Sequence, residues 1–223
     1  MVTLAIYLLC VLAVWLFSAR QCFVVVRGLR SPEQRLIAIE NGREVLAKGT
    51  NQPALRAWAE SHGFEPDCMY DFFGGGGKKR ITQSNWVHAE KQIALSAVEA
   101  PNKGILLLEL WSTFEGDITL TTSGSRASLL FPLRPGRYLQ ALKNNNLDSL
   151  LIAHEEAIDY LQAHRNVSEL MSANSDYEKM LEGQRKQGTY IESLPLWPLR
   201  APYWYFFRQY YYYNKTIAQQ YPS

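Results

Sequence analysis

The chain has 223 residues, a net charge of +2, 47% hydrophobic residues and 13% aromatic residues. So balanced a charge leaves no electrostatic footprint for nucleic acid, and three cysteines with no CxxC pair build no disulfide framework. Beyond the apolar N-terminus there is length enough for one medium domain with its own core, or for one domain with appendages.

Residues 2–17 (VTLAIYLLCVLAVWLF) carry no charge and one polar side chain, Thr3; after SARQ comes a second apolar run, CFVVV. Three readings compete. A signal peptide needs a basic start and small residues before the cut; Met1-Val2-Thr3 has no Lys or Arg, and Phe17 stands where a small residue is wanted before a cut after Ala19. A soluble core helix needs a polar stripe, and none occurs before Ser18. A membrane anchor needs about 20 residues to cross roughly 30 Å of hydrocarbon, which the run reaches toward Val26 if Arg20 lies near the headgroups and snorkels. The retained anchor fits best. Arg20, Arg27, Arg30 and Arg35 all follow it, and positive flanks stay cytoplasmic, so the expected location is a single-pass membrane protein with a cytoplasmic domain.

Downstream, residues 31–48 read as a helix or broken helical connector, with Pro32 in its first turn and Gly42 as an interruption. A second helix follows, capped by Asn51, with Pro53 in its first turn and Gly63 at its left-handed end. Residues 65–80 read as a loop. Its Gly74-Gly75-Gly76-Gly77-Lys78-Lys79 fails as a phosphate-binding loop, because Phe72 replaces the first Gly and Lys79 the hydroxyl. From residue 81 to 133 the apolar period changes from helical to strand-like. Strands are expected at 91–99, 105–114, 118–122 and 127–133, with turns at Pro101-Asn102-Lys103-Gly104, Glu115-Gly116-Asp117 and Ser123-Gly124-Ser125. Such short turns imply an antiparallel meander, and the alternation implies one packed face, the other wetter or covered by helices. Residues 147–164 form the clearest helix, with Leu150, Leu151, His154, Ile158 and Leu161 at helical spacing. Residues 167–187 read as a more exposed helix ending near Gly188.

No chemistry is well marked. His154-Glu155-Glu156-Ala157-Ile158-Asp159 lacks the second His, four residues on, that a zinc-protease helix needs, and no GxSxG nucleophile occurs. The C-terminal run Tyr203-Trp204-Tyr205-Phe206-Phe207-Arg208-Gln209-Tyr210-Tyr211-Tyr212-Tyr213 is too short and polar for a second span, and Pro198 and Pro202 interrupt its approach. Amphipathic Tyr and Trp suit a membrane–water interface; packing on the domain's own sheet is the alternative.

The sequence therefore predicts an α+β protein: a single N-terminal transmembrane helix, then an antiparallel sheet of four or five strands flanked by helices. Its parts are an anchor (1–26), a juxtamembrane connector (27–50), an α+β domain (51–190) and an aromatic interfacial tail (191–223). The expected membrane-interface residues are Arg20, Arg27, Arg30, Trp197, Trp204, Tyr205, Arg208 and Tyr211. The expected function is a non-enzymatic binding or assembly module at the membrane surface, with membrane lipid and a membrane-associated protein as partners, and no nucleic acid, cofactor or metal. The alternatives are a membrane-bound metal-dependent hydrolase using His154, Glu155 and Asp159, and a secreted or periplasmic domain released from a signal peptide.

Overall fold

A computed structural model describes residues 2–48, 52–73, 80–100, 104–143, 146–173 and 177–222. The Asn51 cap, the Gly74–Lys79 run and the Pro101-Asn102-Lys103 part of a turn lie outside the described residues.

Helix α1 (Val2–Arg30) is unbroken. It is the one helix, among the described residues, long and apolar enough to cross a membrane. Its two halves differ. Along residues 3–17 the large apolar side chains face outward, Leu4, Tyr7 and Leu9 each more than 60% exposed. From Ser18 onward one face turns inward: Ser18, Cys22 and Val26 are buried. Spacings of four keep them on one side of a helix. The helix ends where Pro32 disfavours helical geometry at Ser31.

The stretch read as a helical connector divides instead. Pro32–Gln34 forms one 3-10 turn, Leu36–Ala38 forms strand β1, and Gly42–Lys48 forms helix α2. Gly42 opens α2 rather than interrupting a helix. Its Cα faces the backbone of Met69, where an added Cβ would stand 2.8 Å from the amide nitrogen. Three apolar residues are ambiguous by period; Leu36 becomes a strand residue because a pairing partner, Phe72, lies beside it. Helix α3 (Pro53–Ser61) and the left-handed Gly63 (φ 77°) match expectation.

The sheet has seven strands in sequence order and is mixed, which corrects the expected four or five antiparallel strands. After β1 come β2 (Glu65–Phe73), β3 (Arg80–His88), β4 (Ile93–Ala100), β5 (Gly104–Phe114), β6 (Ile118–Ser123) and β7 (Arg137–Ala141). All neighbours are antiparallel except β6 and β7, which run parallel. The α+β class holds. The stretch expected as a loop is strand β2: with only Tyr70 fully buried it has little apolar alternation of its own, and partners on both sides define it. The strand expected at 127–133 is a 3-10 helix (Arg126–Leu129), capped by the Ser125 hydroxyl accepting from the Ala127 N–H. This segment is part of the longer connection that a parallel pair requires. Pro132 and Pro135, lacking N–H donors, suit a connection better than a ladder.

Helix α4 (Leu147–His164) has the predicted bounds. It packs with α3 over one sheet face, closing a core that includes Trp86, Leu95, Leu110, Leu120, Leu150 and Leu161. Helix α5 (Tyr177–Ser193) covers part of the opposite face, where Leu181 meets Leu36 and Tyr70. It starts later than expected and runs through Gly188, because α1 lies on it there. A Cβ on Gly188 would stand 3.1 Å from Leu29 Cβ.

That contact makes a testable contrast. Gly188→Leu should force α5 away from α1 and destabilise the detergent-solubilised chain by about 1–3 kcal/mol. Gly183→Ala, with open space around the new methyl, should be neutral or stabilising by up to about 1 kcal/mol. Urea unfolding measures both; equal effects would show that the helices do not meet at Gly188.

Candidate membrane-contacting surface

The C-terminal segment folds into one helical rod made of α6 (Trp197–Tyr203), a π-helical turn (Trp204–Arg208) and α7 (Gln209–Tyr212). The two prolines do not break it. Pro198 lies in the first turn, where a missing N–H costs nothing, and the π-helical turn follows Pro202, a usual way for a helix to absorb a lost hydrogen bond. Leu196, in the left-handed region (φ 54°), turns the chain into this rod.

The rod runs back along α1 in the opposite sense. Trp197 stacks on Phe23 (6.1 Å between centroids), the Cys22 thiol approaches the Ala201 carbonyl, and Tyr205 meets Phe17 edge-on (6.2 Å). Its inner side supplies Ala201 and Trp204 to a small core with Cys22, Val26, Phe131 and Ile191. Its outer side carries Leu199, Tyr203, Phe206, Phe207, Tyr210 and Tyr211, exposed by 37% to 65%. Steps of three and four put these six on one stripe. The rod is thus apolar on both sides, packed on protein along one and exposed along the other.

The eight expected interface residues divide accordingly. Trp197, Tyr205 and Tyr211 lie along the rod, with Lys215 Nζ 3.8 Å from the Tyr211 ring centre. Trp204 turns inward, 4% exposed and edge-on to Phe131. Arg208 also turns inward, donating to the Leu129 carbonyl and lying over Tyr212. On α1, Arg20 and Arg27 are exposed, whereas Arg30 pairs with Glu192 at 3.2 Å and donates to Thr189. Leu199, Tyr203, Phe206, Phe207 and Tyr210 join this stripe without being among the expected residues: their three- and four-residue spacing is in the sequence, but Pro198 and Pro202 predict a break in the helix there.

The residues offered for catalysis do not converge. His154 is fully buried between α4 and the sheet. Gln140 Nε2 donates to Thr122 Oγ1 (2.9 Å), so the Thr122 hydroxyl is free to donate to His154 Nδ1 (2.8 Å). His154 Nε2–H then donates to Ser112 Oγ (3.1 Å), whose own proton goes to the Gln92 carbonyl (3.0 Å). Both ring nitrogens are used and the ring is neutral. Burial lowers its pKa from 6.5 to about 3. Glu155 instead pairs with Lys91 (2.6 Å), and Asp159 is exposed. Among the described residues, no three His, Cys, Asp or Glu side chains are grouped to hold a metal ion.

This histidine has a pH signature. The unfolded chain protonates it below about 6.5 while the folded chain resists down to about 3, so its contribution is intact above 6.5 and lost as pH falls. The expected slope is up to about 1.4 kcal/mol per pH unit. Unfolding of wild type and His154→Gln between pH 4 and 7.5 should show the steeper acid loss in wild type; parallel curves would contradict a neutral buried ring.

Comparison with protein-family models, curated proteins and solved structures found no match for this chain.

Proposed function

We propose that this chain is a single-pass membrane protein whose cytoplasmic α+β domain is a non-enzymatic binding or assembly module held against the bilayer at two places, α1 and the aromatic rod. The observation that carries this reading is the match in level between the two. The outward-facing part of α1, residues 2–17, spans about 24 Å at 1.5 Å per residue, short of the roughly 30 Å of hydrocarbon to be crossed. The shortfall falls beside residues 17–23, where Tyr205 meets Phe17, Trp197 stacks on Phe23, and the exposed Leu199 and Tyr203 lie between them along the rod. Tyrosines and tryptophans at that depth suit the interfacial layer, with their polar ends toward water. Burying one such side chain fully is worth about 1.5–3 kcal/mol, so even partial immersion of six outweighs an exposed ion pair, worth about 0–1 kcal/mol.

The packing of α1 begins before the best cut site, which supports retention over cleavage: Ser18 is buried and Phe17 meets Tyr205, so a cut after Ala19 would remove contacts that the folded domain makes. Sidedness rests on charge. Arg20 and Arg27, both exposed on the C-terminal side of the apolar run, favour a cytoplasmic domain, and contact with anionic headgroups is their natural use.

Three measurements test the reading. A C-terminal topology reporter should be active in its cytoplasmic form; activity only on the far side would reverse the orientation. Leu8, Leu9 and Leu12 replaced together by Lys should release the chain into an alkaline carbonate supernatant, since each charge at mid-span costs about 2.5–3.5 kcal/mol. In a Cys68→Ser background reconstituted in nanodiscs, Tyr211→Cys should resist a membrane-impermeant maleimide while Glu156→Cys reacts. Equal labelling would remove the rod from the bilayer.

A further inference from the structure

We propose that the cleft where Arg134, Arg137 and Arg208 meet is a binding site for a phosphate-bearing anion. The cleft has a volume of about 460 Å³ and lies between the start of β7, α5, the end of the aromatic rod and the C-terminal segment. Its size is in the range of small-molecule sites. Three guanidiniums line it, together with the rings of Tyr190, Tyr212 and Tyr221, and no Asp or Glu side chain does.

The guanidiniums are held, but they are not saturated. Arg134, with a side chain 13% exposed, gives one Nη to Asp117 (3.0 Å), and its buried Nε has no hydrogen-bond partner among the described residues. Arg137 gives its Nε to Thr119 (3.0 Å), and Arg208 gives one Nη to the Leu129 carbonyl. Two carboxylates lie behind the cleft, and neither supplies a full counter-charge. Asp117 is shared with Lys186 (3.3 Å), and burial pushes Glu109 toward its neutral form while it accepts from Ser128 (2.7 Å). Burial makes Arg137 and Arg208 less easily charged than usual, and Arg134 adds like-charge repulsion on Arg137.

Cations gathered out of water with so little opposing charge are an arrangement an anion completes. The guanidinium fork fits phosphate oxygens bidentately. The tyrosine rings flank the volume beyond it, where the rest of a phosphate ester would lie. A lipid headgroup and a soluble phosphate ester share this chemistry. The site stands whether or not the rod touches lipid.

The test uses the full chain, with arginine labelling by phenylglyoxal read by mass spectrometry. In nanodiscs of zwitterionic lipid, inorganic pyrophosphate at matched ionic strength should protect Arg134, Arg137 and Arg208. It should leave Arg185, paired with Glu33 outside the cleft, unprotected. Protection by pyrophosphate identifies a soluble phosphate ester; protection only when the nanodiscs contain anionic phospholipid identifies a headgroup. Either result supports the site. No protection in either arm, or equal protection of Arg185, overturns it. Arg137→Gln that retains its unfolding transition should bind the protecting anion about tenfold more weakly, and unchanged binding by that folded variant also overturns it. Labelling of the wild type decides the matter should the variant fail to fold.

Discussion

The second half of α1 is held to the domain through a close seam with the helices beside it. Ser18, Cys22 and Val26 present a narrow face of small and medium side chains. Such a face lets helices approach closely, which is also how packed helices associate inside membranes. Ala201 on α6 answers it with the same small size, and farther along α1 Gly188 on α5 lets Leu29 and Arg30 come close. One continuous helix is therefore apolar outward along its first turns and a packed domain helix along its last. Its direction is fixed by the domain, and the domain's distance from any bilayer it enters is fixed in turn.

The aromatic rod follows from that seam. With Trp197 on Phe23 and Tyr205 on Phe17, its inner side is committed to protein. The remaining aromatic side chains have nowhere to go but outward, beside the base of α1. The cleft is built at the rod's other end, where Arg208 and Tyr212 reach β7. The proposed lipid contact and the proposed anion site thus share one helical element. Any force that tilts the rod in the interface would also move Arg208 relative to Arg134 and Arg137.

On the opposite face of the sheet the polar chain from Gln140 through Thr122 and His154 to Ser112 joins three strands to α4. Each group is satisfied and the donor order is unambiguous, so the chain fixes how α4 sits over β5, β6 and β7. Gln140 also accepts from the Ile217 amide (2.9 Å), which ties in the last short helix (Ile217–Gln220). A histidine that invited comparison with catalytic motifs is a structural group, and the acidic residues beside it in sequence point elsewhere.

What depends on local pattern can be read from the residues alone. The apolar run, the 147–164 helix and the strands from Ile93 to Ser123 were legible because one residue's neighbours decide its period and its burial. The left-handed Gly63 was legible for the same reason, since its conformation is a property of that residue. The rest depends on partners distant in the chain and becomes visible only once the chain is folded. Leu36–Ala38 and Glu65–Phe73 became strands because each had another strand to pair with. The parallel seventh strand came from a connection whose course no local rule specifies. Composition alone could not tell the two sides of the aromatic tail apart: Trp204 and Arg208 face inward because α1 and the connection before β7 cover them. The three arginines of the cleft carry no shared sequence signal, since Arg134 and Arg137 meet Arg208 only when the rod folds back against β7.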